Sequence, residues 1–320
     1  MKDKKLIAWG AGPMLEIYLR NAPDHQIAYC IDSSPDLQGK FALDVPIVLP
    51  DVLEKEDRDD ILVIITAMSS ASIQAIHAAL SDQGFILGKH YIDLSAFLKN
   101  SFKAKAESVL NRQISDENYV FARSFNLNSQ TPLETTILGN WLLLETLQAT
   151  CKLNGAIAEV GAYKCGNSHL LMSAMNLWKD NRKYYIFDSF EGFAELSDHD
   201  PSEQQKAYND DYKANRIFNS LKLFEQAVVV PGFVPHTFSK IPDDQRFSMV
   251  FYDCDLYQPA LDTYAFFWDR IEKGGMLVIH DNIATAHGWT GVRKATEEYF
   301  SPKGIQSFDM WETTMSVIFK

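Results

Sequence analysis

Apolar and polar positions along the chain fall into short blocks that switch between two periods. Leu6 to Gly12 (LIAWGAG) is a continuous apolar run ending in glycines, the pattern of a buried strand entering a turn. Met14 to Ala22 follows with apolar residues at helical spacing. The alternation continues through strands at 27–32 and 60–67 and a helix at 72–84. Strand–helix alternation of this kind predicts a parallel sheet covered by helices. The stretch 99–130 is polar and mixed, with one helical segment from Lys103 to Ile114, and reads as a connector. A second alternating series then begins, with a helix at 135–150, strands at 156–162 and 183–189, and a helix between them at 168–178. Strands at 226–232, 247–253 and 274–281 follow, and Met315 to Lys320 is expected to be an edge strand. The expected fold is α/β: two doubly wound Rossmann-like domains over 1–98 and 131–320, joined by a helical connector over 99–130.

Composition narrows the partners. In 320 residues, 30 basic against 42 acidic side chains give a net charge of −12, which opposes binding to nucleic-acid phosphates or an anionic membrane surface. No apolar run is long enough to span a bilayer, and the lysine-bearing start breaks into glycines too early for a signal segment. A cytoplasmic location is expected. Cys30, Cys151, Cys165 and Cys254 are single and widely spaced, as reduced thiols without a ligand role would be.

Three segments carry candidate chemistry, all in the second half. In GAIAEVGAYKCGNSHLL a strand ends at Glu159, turns through Gly161 and Gly166, and enters a helix near Ser168. Glycines allow close approach of a ligand, and the free N–H groups of a helix start favour an anionic group; a glycine pair alone is equally well a turn that binds nothing. Asp188 ends the next strand, where an acid can accept both hydroxyls of a ribose or, alternatively, cap a helix. In FSMVFYDCDLY and GGMLVIHDN two apolar strands discharge Asp253, Asp255, Asp281 and Asn282 at their ends. Adjacent strand ends face one crevice, so these oxygens suit a hard cation of the magnesium type; singly, each is equally a helix cap or a loop residue. His280 beside them is a candidate proton acceptor or an ordinary strand-end histidine, and His236 and His287 have weaker claims.

Residues from about Thr131 to Lys320 resemble the macrocin O-methyltransferase family, whose members methylate sugar hydroxyls, and more distantly the metal-dependent catechol-type O-methyltransferases. The resemblance rests on EVGAYKCGNS, IFDSFEGF, PGFVPHTFSKIP, YDCDLY, GGMLVIHDN and GVRKATEEYF, in the family's order. It implies a class I S-adenosylmethionine (SAM) methyltransferase fold and an O-methyltransferase assisted by magnesium or another divalent cation. Glu159, Gly161, Ala162, Gly166, Ser168, Asp188, Ser189, Gly232 and Phe233 are thereby expected at the SAM site, with Asp188 on the ribose. Asp253, Asp281 and Asn282 are expected as metal ligands, and Asp253 and His280 as the catalytic pair. His280, Asp281 and Asn282 depart from the acidic pair and tyrosine usual in the macrocin type. The catechol-type lysine base has no counterpart after Asp253, since Cys254, Asp255 and Leu256 follow, which leaves the general base open and Asp255 in reserve as a ligand or substrate contact.

The first half has Gly10, Gly12 and Asp32 in a partial dinucleotide pattern, with Leu15 where a third glycine would stand. Through WGAGPMLEIYL, AYCIDSSPDLQGKFALDVPIV and DILVIITA it resembles the small nucleotide-sugar-binding domains of sugar-modifying acyltransferases. It is expected either to help hold a small-molecule or sugar acceptor or to assemble a homo-oligomer. Two alternatives remain at this stage: an NAD-dependent oxidoreductase built on the first half, and a noncatalytic nucleotide-binding protein.

Overall fold

A computed structural model of the chain describes residues 4–22, 24–129, 133, 135–193, 195–201, 220–283 and 290–320. The expected domain boundary near 131 and the weak candidate His287 lie outside the described residues. Two doubly wound α/β layers are present. The first sheet contains β1 (Lys5–Trp9), β2 (Ile27–Ile31), β3 (Phe41–Ala42), β4 (Val45–Val48), β5 (Ile61–Ile65) and β6 (Tyr91–Asp93), in the order β3-β4-β2-β1-β5-β6. All its neighbours pair in parallel except β3 with β4. The second contains β7 (Ala156–Val160), β8 (Tyr184–Asp188), β9 (Ala227–Pro231), β10 (Phe247–Tyr252), β11 (Ile271–Ile279), β12 (Phe308–Met310) and β13 (Met315–Phe319), in the order β12-β13-β11-β10-β7-β8-β9. β7 and β10 are central and buried along their whole length, which is why their sequences are continuous apolar runs rather than alternating ones.

The closing strand β13 is not an edge. It lies antiparallel between β11 and β12, and the three-residue β12 covers its outer side. A strand that short leaves no periodic signal in the sequence, as is also true of β3.

The helices are α1 (Pro13–Asn21), α2 (Ser70–Asp82), α3 (Leu94–Leu110), α4 (Asp116–Asn128), α5 (Ile137–Ala149), α6 (Gly166–Trp178), α7 (Tyr257–Phe267) and α8 (Gly291–Phe300). None among the described residues is long and apolar enough to cross a membrane. The stretch read as a connector is α3 and α4, and both pack on α5. Helix α5 is buried without a break from Ile137 to Leu147, so it must be covered on every side. One continuous apolar cluster runs from Ala8, Leu15 and Ile64 of the first layer through Phe102, Tyr119 and Trp141 to Leu170, Met249 and Val317 of the second. At its centre Trp141 lies 5.1 Å, ring to ring, from both Phe102 and Tyr119, and its indole N–H donates to the Ser115 carbonyl at 3.0 Å.

Trp141→Ala should therefore weaken both layers at once, by about 3–5 kcal/mol. Urea unfolding followed by hydrogen exchange should show peptides from β1 and from β7 losing protection together in the variant. Loss confined to one layer would show that the core is not shared.

Candidate active site

Strand β7 ends at Val160, and the chain turns at Gly161, where φ is +91°. A Cβ at this position would stand 2.1 Å from the Asp253 carbonyl oxygen, so only glycine lets the turns after β7 and β10 touch. Asp188, at the end of β8, ties the turn in place. Its Oδ2 accepts the Ala162 and Tyr163 N–H groups at 2.8 Å each, and its Oδ1 accepts Phe190 N–H at 2.6 Å. Burial raises the Asp188 carboxyl above its usual range despite these three donors. The turn, the start of α6, Asp188, Ser189 and the Gly232–Phe233 loop line one side of a cavity of about 360 Å³. That volume is within the size of small-molecule sites, and its position outside the carboxyl ends of β7, β8, β10 and β11 is where an open α/β sheet places its ligand.

Gly161, Ala162, Gly166, Asp188, Ser189, Gly232 and Phe233 thus lie together on the cavity wall. Glu159 and Ser168 do not. They sit behind the turn, fully buried, where the Ser168 hydroxyl donates to Glu159 Oε2 at 2.5 Å and the Tyr184 hydroxyl donates to the same oxygen at 3.0 Å. Burial, reinforced by the charges of Asp253 and Asp188, pushes the Glu159 carboxyl up to about 8 against the two hydroxyl donors. This residue braces the turn from beneath and has no surface to offer a ligand.

On the opposite wall the ends of β10 and β11 bring four titratable side chains together: one ligand-type atom from each of Asp253, Asp255, His280 and Asp281 lies within 4.8 Å of all the others. His280 Nδ1 is 2.8 Å from Asp253 Oδ1 and 3.2 Å from Asp281 Oδ2. Burial alone would lower the imidazole, but the two carboxylates outweigh it and raise it well above its ordinary value. The same imidazolium overrides burial at Asp281 and holds that carboxyl low. Burial and the charges of Asp281 and Asp253 raise Asp255 strongly. Three carboxylates and one imidazole in so small a volume carry excess negative charge, and the donor set fits a divalent cation.

Asn282, expected as a ligand, is fully buried and does not line the cavity; its Nδ2 donates to Ser316 Oγ at 2.8 Å, and its Oδ1 has no hydrogen-bond partner among the described residues. The other weak candidate, His236, lies in a short 3-10 turn and does not line the cavity.

Sequence reasoning missed the far wall. Pro13 and Ile17 of α1 and Met68 and Ser69 after β5 line the same cavity as the methyltransferase-type turn. They come from the carboxyl ends of β1 and β5, so the crevices of the two sheets face one another. The turn after β1 is built as the one after β7 is, with Asp32 accepting Ala11 N–H at 2.9 Å and Ser34 N–H at 2.8 Å.

A doubly wound sheet with this glycine turn, an acid closing the next strand and carboxylates at the following strand ends has the architecture of a class I SAM-dependent methyltransferase. Residues 142–319 match the family model described as Macrocin-O-methyltransferase (TylF). The chain belongs to that family, and it is a SAM-dependent O-methyltransferase. Among solved structures, CalS11, a calicheamicin methyltransferase, is 16% identical with a TM-score of 0.50, over 69% of this chain and 91% of its own. The O-methyltransferase NovP is 18% identical with a TM-score of 0.47, over 71% of this chain and 99% of its own. No curated protein matches the chain significantly. The oxidoreductase and noncatalytic alternatives give way to this assignment.

The elevated Glu159 carboxyl has a measurable consequence. The folded protein holds its proton up to about pH 8, whereas the unfolded chain releases it near 4.5, so folding stability falls as pH rises between these values. The loss is at most about 1.4 kcal/mol per pH unit. Glu159→Gln cannot ionise and should lack this component. Urea unfolding at pH 5, 6, 7 and 8 should show the wild type losing stability relative to the variant as pH rises, and a constant difference would show that Glu159 is ionised in the fold.

Proposed function

We propose that the protein methylates a hydroxyl of a sugar or sugar-containing metabolite, with a divalent cation held by Asp253, His280 and Asp281. The observation that carries this reading is the convergence of the Gly161–Asp188 turn and the four-membered polar cluster on one cavity. Membership in a family whose members methylate sugar hydroxyls supports the acceptor class.

In-line transfer needs acceptor oxygen, methyl carbon and donor sulfur collinear, so the donor turn and the cluster must face each other across the cavity, as they do. An alcohol hydroxyl is a weak nucleophile at neutral pH, and a divalent cation supplies the Lewis acidity that lowers its pKa. The remaining work falls to protein side chains. Asp188 holds the ribose end of the donor through Oδ1, which accepts a single backbone N–H and keeps a lone pair for a hydroxyl. Asp255 shares the cluster without pairing to His280, and in its carboxylate form it takes the hydroxyl proton as the new O–CH3 bond forms and the S–CH3 bond breaks. His280 is unsuited to that step, because its Nδ1 is turned into Asp253 and Asp281. On the acceptor side, α1 packs against the short 3-10 turn Trp311–Thr313, next to His280's partner Thr314, so Pro13, Ile17, Met68 and Ser69 wall the space nearest the cluster. The first domain thereby selects the acceptor.

Chelation should abolish methyl transfer to a nucleotide-linked sugar acceptor, and added divalent cation should restore it. Asp255→Asn should lower kcat by about 10²–10⁴-fold while leaving S-adenosylhomocysteine affinity unchanged by calorimetry. Full turnover after exhaustive chelation would remove the cation from the reading.

Met68→Trp, which adds bulk on the far wall, should raise KM for such an acceptor by about tenfold or more with unchanged S-adenosylhomocysteine affinity. An unaltered KM would leave the first domain without a part in acceptor selection.

A further inference from the structure

We propose that Thr314 is a positioning residue that fixes the tautomer and ring orientation of His280, so that Nδ1 is the nitrogen presented to the cation. The inference rests on the cation reading above and concerns a residue that is not itself a ligand.

Thr314 follows the 3-10 turn Trp311–Thr313 in a left-handed conformation, φ +62°, and is almost completely buried. Its side chain makes two contacts. The Oγ1 hydroxyl donates to the Thr313 carbonyl at 2.5 Å, and the same oxygen lies 2.9 Å from His280 Nε2. A hydroxyl has one proton to give. With that proton committed to Thr313, Thr314 Oγ1 can only accept from His280, so Nε2 must carry a hydrogen. Nδ1, on the opposite edge of the ring, is then the nitrogen facing Asp253 and Asp281, and the one whose lone pair becomes free when a cation takes its place among them. Thr313 is held in turn, its hydroxyl donating to the Met310 carbonyl at 2.7 Å and accepting Met315 N–H at 3.1 Å, so the acceptor geometry at Thr314 is fixed by backbone rather than by solvent.

A histidine whose second nitrogen has no partner can flip or exchange tautomers, and partners of this kind are worth about 10–100-fold in metal affinity. The need is specific to this chain's cluster, because a carboxylate at position 280 would present an oxygen in either orientation.

The full-length protein can be titrated with Mn2+ alone, bound metal being read by electron paramagnetic resonance, with 15N-histidine spectra recorded in parallel on the Mg2+-loaded protein. Wild type should bind Mn2+ and show His280 protonated on Nε2. Thr314→Val, which keeps the shape and removes the acceptor, should bind Mn2+ at least about tenfold more weakly and show mixed His280 tautomers, while Thr314→Ser should restore both. Wild-type affinity and a single tautomer in Thr314→Val would overturn the proposal alone, whereas no Mn2+ uptake by wild type would overturn the cation reading and the proposal with it. Should the valine variant fail to fold, the wild-type spectrum still decides, since a proton on Nδ1 rather than Nε2 in the loaded protein contradicts the assignment.

Discussion

The site depends on the absence of a side chain at residue 161. The turn after β7 and the turn after β10 meet there backbone to backbone, with space for a hydrogen and nothing larger between Gly161 and the Asp253 carbonyl. That contact sets the distance between the half of the cavity lined by the glycine turn and the half that gathers carboxylates. Asp188 fastens the first turn through three backbone donors, and Glu159, neutral and buried beneath it, keeps the floor from collapsing. A fold with such a close approach at its centre can vary widely around the rim and still keep the two turns in register.

The polar cluster shows how burial and charge oppose each other. Desolvation alone would neutralise Asp253, Asp255 and Asp281, yet the His280 imidazole, placed between two of them, keeps Asp281 low and moderates Asp253 while Asp255 takes up the imbalance. The three acids are therefore inequivalent before any ligand arrives. Two face the His280 imidazole and the third does not, so environment rather than residue type distinguishes them.

Much of this was legible in the sequence because its signals are local. Continuous apolar runs identified the buried strands β1, β5, β7, β10 and β11, and each candidate acid stands within three residues of a strand end, where a doubly wound sheet opens its crevice. What stayed hidden depended on direction and on distance along the chain. The resemblance made the adjacent Asp281 and Asn282 a pair, but the chain turns at Asp281, with φ +52°, and Asp281 lines the cavity while Asn282 is buried against Ser316. Glu159 and Ser168 were legible as parts of the turn, not as its underside. Pro13, Ile17 and Met68 carry no chemical signature at all, and their place on the wall follows only from the packing of two layers far apart in sequence. The strands β3 and β12 escaped because two or three residues define no period.

Helix α5 has a consequence for the history of such chains. Because it is buried for eleven successive residues, from Ile137 to Leu147, it has no outward face that water would tolerate. A methyltransferase layer separated by recombination from α3 and α4, which pack on this helix, would expose Trp141 and its leucine neighbours and would have to replace that face before it could stand alone. The segment that reads as a connector should therefore be inherited with the layer that follows it.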